Sequence, residues 1–153
     1  MPAIHKHIQI EARPTGVFRF CHDMNRRPDW DERVTRAKVL TPKPIRRGTV
    51  VRMDTKPPMG DVFSWEGEFV EFHFPSSSRI DVIDVAPSSP FVEGSEELQV
   101  RRSGNGTALS LRWEYTPRGI LGRILDLLVR QRAVRRAVAK SLENLKAMIE
   151  AEA

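Results

Sequence analysis

The sequence has 153 residues, of which 40% are hydrophobic and 29% charged, proportions that suit one globular core without help from metals or cross-links. Its net charge of +5 and pI near 9.9 admit anionic partners. No apolar run is long enough to cross a bilayer, and the lone Cys21 excludes an internal disulfide or a cysteine zinc site. The opening MPAIHKHIQIEARP alternates apolar and polar residues where a signal peptide would be continuously apolar, so a cytoplasmic protein with one domain over residues 1–153 is expected.

In chain order, Ile4 to Glu11 reads as a strand, with Ile4, Ile8 and Ile10 on one face and His5, His7, Gln9 and Glu11 on the other. Pro14 suits the first turn of a short helix carrying Val17, Phe18, Phe20 and Cys21. A second helical turn follows through Asp23, Met24 and Asn25 and ends near Pro28-Asp29-Trp30. Strand patterns then cover Val34–Leu40, Thr49–Lys56, Val62–Phe74, Arg79–Val85, Phe91–Arg102 and Thr107–Tyr115. The breakers between them include Pro57-Pro58-Met59-Gly60 and Pro87-Ser88-Ser89-Pro90, and such short links imply antiparallel pairing. After Pro117 the period becomes helical: Leu121, Ile124, Leu128, Val134, Val138, Leu142, Leu145 and Ile149 recur at three- and four-residue steps, with a slip near Gln131. A helix of roughly thirty residues, about 45 Å long, needs a partner for this stripe, and the concave face of the sheet is the natural one.

This order of elements resembles the helix-grip fold of the START/Bet v 1-like (SRPBCC) superfamily, and within it the polyketide cyclase/dehydrase-type branch. The likeness is carried by Ile10-Glu11-Ala12-Arg13-Pro14 with Val17-Phe18, by Asp23 to Trp30 (DMNRRPDW), and by Gly48-Thr49, the run Glu68 to Glu71, Pro75 and Arg79. Gly106-Thr107, Tyr115-Thr116-Pro117 and Gly119-Ile120-Leu121-Gly122 complete it. The resemblance implies an α+β domain whose seven-stranded curved antiparallel sheet wraps a long C-terminal helix around a ligand cavity. It does not fix a chemistry, because one scaffold hosts many functions.

The final hairpin sets the buried row. Gly104-Asn105 suits a two-residue loop, which pairs Ser103 with Gly106 and so Val100 with Leu109, Leu98 with Leu111, Glu96 with Trp113 and Gly94 with Tyr115. Alternation places all eight on one face, and the leucines mark it as the inner one. Glu96 therefore points inward. Desolvation raises such a carboxyl's pKa unless a cation compensates, and beside Tyr115 it can form an acid/base pair; the alternatives are a wet pocket mouth or an arginine partner. On the strand Val62–Phe74, Val70 and Phe72 resemble the family's inward positions, which brings Glu66 and Glu68 inward too, whereas Phe63, Trp65 and Phe69 mark the opposite face. A bulge at Gly67 reconciles Trp65 with Val70. Trp30 either lids the pocket or joins helix to sheet.

The expected function is binding of a hydrophobic, polyketide-like or polycyclic aromatic molecule, with or without cyclisation or dehydration by acid/base chemistry. Glu96 and Tyr115 are the catalytic candidates, and Trp30, Trp65, Glu66, Glu68, Val70, Leu98, Leu109, Leu111, Trp113, Leu121, Ile124 and Leu128 the ligand-binding ones. No cofactor or metal is called for: His5-x-His7 has no third ligand nearby and sits on a polar strand face. A second expectation is a non-catalytic lipid or quinone carrier. A third is an interaction protein whose basic helix, with Arg123, Arg130, Arg135 and Arg136, meets RNA, the ribosome or an acidic partner; that helix can also approach an anionic membrane. Binding to DNA is not expected, and no aromatic is interleaved among the arginines for base stacking.

Overall fold

Strands of alternating pattern, joined after the second by connections without helices among the described residues, pair into one antiparallel sheet. The computed structural model describes residues 2–57 and 61–152. Its strands are β1 (Ala3–Ile10), β2 (Val34–Val39), β3 (Val50–Thr55), β4 (Phe63–His73), β5 (Ser77–Val85), β6 (Phe91–Ser103) and β7 (Gly106–Pro117). They lie in the order β1-β7-β6-β5-β4-β3-β2, every pair antiparallel. Two short helices, α1 (Pro14–Cys21) and α2 (Arg27–Trp30), connect β1 at one edge to β2 at the other. Of the breaker expected at Pro57–Gly60, only Pro57 lies within the described residues.

The β6–β7 hairpin has the register that its turn implies: Ser103 opposite Gly106, Val100 opposite Leu109, Leu98 opposite Leu111, Glu96 opposite Trp113 and Gly94 opposite Tyr115. Of the two turn residues only Gly104 adopts a positive φ, at 58°, so the turn is of the type that needs a positive φ at its first central position alone. The one bulge in this pair lies between Phe91 and Glu93, upstream of Glu96, and leaves its inward direction intact.

Strand β4 differs from expectation. Phe63, Trp65, Gly67 and Phe69 are all buried, while Glu66, Glu68 and Val70 are half-exposed on the other face. The register does shift at Gly67, but the extra residue, Ile83, belongs to β5, so β4 continues its alternation undisturbed. The phase of β4 changes at Val70, the extra residue between the pairs Phe69–Ile80 and Glu71–Arg79. Glu66 consequently lies between Arg52 and Asp84, and no acidic cluster forms inside.

The C-terminal segment is also broken differently. It consists of α3 (Gly119–Leu125), a π-helical turn (Asp126–Arg130) and α4 (Gln131–Glu152), the slip in the leucine pattern coinciding with the π-turn. In α4 the residues Val138, Leu142, Leu145 and Ile149 are buried against the sheet and α1. Ser141 accepts a hydrogen bond from the Glu32 backbone (2.8 Å), and Asn144 donates one to the Trp30 carbonyl (3.2 Å), pinning α4 to α2. In α3 no residue is buried, and in the π-turn only Asp126 is. Leu121, Ile124 and Leu128 are therefore on the surface, 83%, 52% and 67% exposed, rather than in the cavity. The wider π-turn resets the helical phase, so the stripe buried in α4 does not extend into α3.

Candidate ligand-binding site

The one-turn helix α2 carries Arg27 and Trp30 three residues apart, hence on one side, and both are buried. The Arg27 guanidinium stacks over the Trp30 ring at 4.7 Å. Asp31 closes this turn and receives Arg27 Nε at 2.8 Å. Its carboxylate also accepts the Arg33 backbone N–H (3.0 Å) and side-chain Nε (3.1 Å), a local turn that folds Arg33 back over it. Glu96 arrives from β6 and completes the group: its Oε1 accepts Arg27 Nη2 at 2.6 Å and Arg33 Nη2 at 3.1 Å. Two guanidiniums and two carboxylates thus cancel in a buried setting, where unpaired charge would be prohibitive. Burial opposes the charge on Asp31, yet Arg33 and Arg27 outweigh it and hold the carboxyl well below the ordinary range. Among the described residues Arg27 Nη1, Trp30 Nε1 and Glu96 Oε2 are buried with no hydrogen-bond partner.

Beside this cluster opens a cavity of about 70 Å³. Its aromatic wall is Phe63, Trp65, Phe91, Trp113 and Tyr115. Trp113 organises that wall, lying 5.9 Å from Trp65, 5.3 Å from Phe91 and 6.2 Å from Tyr115 between ring centroids. Among the described residues the charged ones that border the cavity are Arg27, Arg33, Lys56 and Arg130, and none of them is a carboxylate. Tyr115 donates to Asp126 Oδ1 at 2.6 Å, and Gln131 donates to Asp126 Oδ2 at 3.0 Å, so the π-turn is tied to the cavity wall. Burial, and then the hydrogen bond to Asp126, push the Tyr115 phenol above its ordinary value.

Of the residues named from sequence, Trp65, Trp113 and Tyr115 border this cavity. Glu96 is inside but stands behind Arg27 and Arg33, so it meets arginines instead of free space. Trp30, Leu98, Leu109 and Leu111 are buried in the core and do not border the cavity. Glu66, Glu68 and Val70 lie on the other face of β4, and Leu121, Ile124 and Leu128 lie outside the sheet's grip. Arg27, Arg33 and Phe91 were missed, and Arg130, expected on the basic outer face, borders the cavity. The i, i+4 spacing of Arg27 and Asp31 was the available signal for the first pair. His5 and His7 are exposed, and among the described residues no three His, Cys, Asp or Glu side chains are grouped to hold a metal.

The curved seven-stranded sheet, two connecting helices and terminal helix define the helix-grip fold of the START/Bet v 1-like superfamily. A family model described as polyketide cyclase/dehydrase and lipid transport matches residues 1–150, and the chain belongs to that family. Among solved structures, TTHA0849 from Thermus thermophilus is similar with a TM-score of 0.82 at 22% identity, covering 99% of both chains. The Zhui aromatase/cyclase from a Streptomyces species is similar with a TM-score of 0.79 at 14% identity, covering 97% of this chain and 93% of that one. The ginseng major latex-like protein 151 from Panax ginseng has a TM-score of 0.71 at 11% identity, covering 96% of both. At these identities the likeness is one of fold. A search of the curated proteins finds no match.

Proposed function

We propose that the protein binds an aromatic, polyketide-like small molecule whose anionic or carbonyl oxygen meets Arg27 and Arg33 while its rings lie against Trp65, Phe91 and Trp113. The observation that carries this reading is the cavity's lining: aromatic walls, with charge supplied, among the described residues, only by cations. An apolar site with a few convergent donors orients a ligand by its polar end. The unpartnered Nη1 of Arg27, a residue that borders the cavity, supplies a donor suited to such an oxygen. Asp31 and Glu96 serve as positioning residues, holding both guanidiniums in place. If a carbonyl sits there, the same donors favour its enolate and so assist cyclisation or dehydration. A cavity of about 70 Å³ is smaller than the several hundred Å³ that a drug-sized ligand fills, so a polycyclic guest enters with outward movement of a wall. The π-turn, which contributes Arg130 to the lining and has one buried residue, is the part of the wall of least resistance.

The test is fluorescence titration with anilinonaphthalene sulfonate, an aromatic anion, against the uncharged phenylnaphthylamine. The anion is expected to bind about tenfold more tightly, and Arg33→Gln to remove most of that preference. Equal affinity for both probes, or a preference that survives Arg33→Gln, would overturn the reading.

A further inference from the structure

Residues 120–129 expose an apolar face that nothing among the described residues covers. Ile120, Leu121, Ile124, Leu127 and Leu128 are between 52% and 83% exposed, and Val129 adds to them at 44%. These residues are contiguous along α3 and the π-turn, whereas isolated exposed leucines would be ordinary. The charge around them has one sign. Residues 118–142 contain Arg118, Arg123, Arg130, Arg132, Arg135, Arg136 and Lys140, against a single carboxylate, Asp126. Asp126 is itself buried and engaged by Tyr115 and Gln131, so no acidic group is displayed on this stretch.

We infer that the α3–π-turn segment is a docking surface for an anionic lipid bilayer. Its leucines and isoleucines enter the acyl boundary, and the arginines lie at the level of the phosphates. Two properties argue for a lipid surface. The apolar side chains sit on a short helical segment that can lie flat in the interface, and the flanking charges match negative headgroups without a compensating acid. No helix among the described residues is long and apolar enough to span a membrane, so the contact is peripheral. Arg130 and Tyr115 belong to the cavity wall, which puts the docking surface at the cavity's margin. The inference concerns a different surface from the cavity's interior and stands whichever guest the cavity takes.

The experiment is sedimentation of the full chain with vesicles of phosphatidylcholine mixed with phosphatidylglycerol, and with vesicles of phosphatidylcholine alone. Binding to the anionic vesicles is expected to be at least about tenfold stronger and to weaken as salt is raised. The doubly substituted Leu121→Asp, Leu128→Asp chain should lose about tenfold or more in partitioning with its melting midpoint unchanged, because both positions are already exposed. A spin label on the Leu128→Cys variant gives an independent reading, since the native Cys21 is wholly buried. The label is expected below the headgroups when anionic vesicles are present. A label that stays in water, equal binding to both vesicle types, or a concentration-dependent dimer broken by the aspartates without vesicle binding would each overturn the inference.

Discussion

The two ends of the grip are built on opposite terms. At the end occupied by α1 and the last turns of α4, Phe18 packs 5.3 Å from Phe72 and 4.2 Å from the His22 ring. Both nitrogens of that buried histidine are used: Nδ1 donates to the Phe18 carbonyl and Nε2 accepts from the Ser78 hydroxyl, each at 2.7 Å. At the other end, unpartnered polar atoms border or back a cavity, and a run of leucines faces outward. Around His22 the polar side-chain groups are satisfied within the chain. Where both kinds of loose end coincide, the surface is suited to something outside the chain.

The largest effect should come from the open end's one tightly built part. Glu96→Leu leaves two guanidiniums sharing Asp31 alone, and urea denaturation should register a loss of about 3–5 kcal/mol. A loss below about 1 kcal/mol would mean that the cluster is no more than an ornament on the core. Leu145→Ala, in the closed half of the helical segment, should cost about 2–5 kcal/mol by the same assay, because its site is wholly buried.

His22 sharpens the contrast through pH. Burial, the main cause, lowers its pKa to about 4 from the ordinary 6.5, so between those values the unfolded chain holds more protons than the folded one. Stability should therefore fall as pH drops from about 6.5 and level off below about 4, by about 3 kcal/mol in all. Asp31 adds a further loss under stronger acid, as its depressed carboxyl is forced to protonate. His22→Gln should abolish the upper part of that slope, which thermal melts across the pH range would reveal. The smallest effect belongs to Leu128→Ala, expected to shift stability by less than about 0.5 kcal/mol; a cost like that of Leu145→Ala would place Leu128 in a packed environment after all.

Features set by short-range geometry were legible in the sequence. The Gly104-Asn105 turn fixed a register that carried as far as Glu96 and Tyr115 because the β6–β7 ladder runs without a bulge from Glu93 to Ser103. Strand β4 was misread because the extra residue opposite Gly67 is Ile83 of β5, which nothing in β4 signals, while β4's own extra residue falls later, at Val70. Leu121, Ile124 and Leu128 were misassigned for another reason: periodicity identifies a face but not what covers it. Arg27 sits in a charged run, RRPDWDER, that reads as solvated. Its burial depends on Glu96, 69 residues away, arriving to pair with it.

Two glycines give the cavity a hidden control on its capacity. A methyl group at Gly67 would come within 2.7 Å of the Trp65 ring and 2.5 Å of the Ile80 side chain, and one at Gly94 within 2.8 Å of the Trp113 ring. Both indoles lean back into hollows left by absent side chains. Filling either hollow would tip an indole forward, so the dimensions of the chamber are governed from positions that no guest would touch.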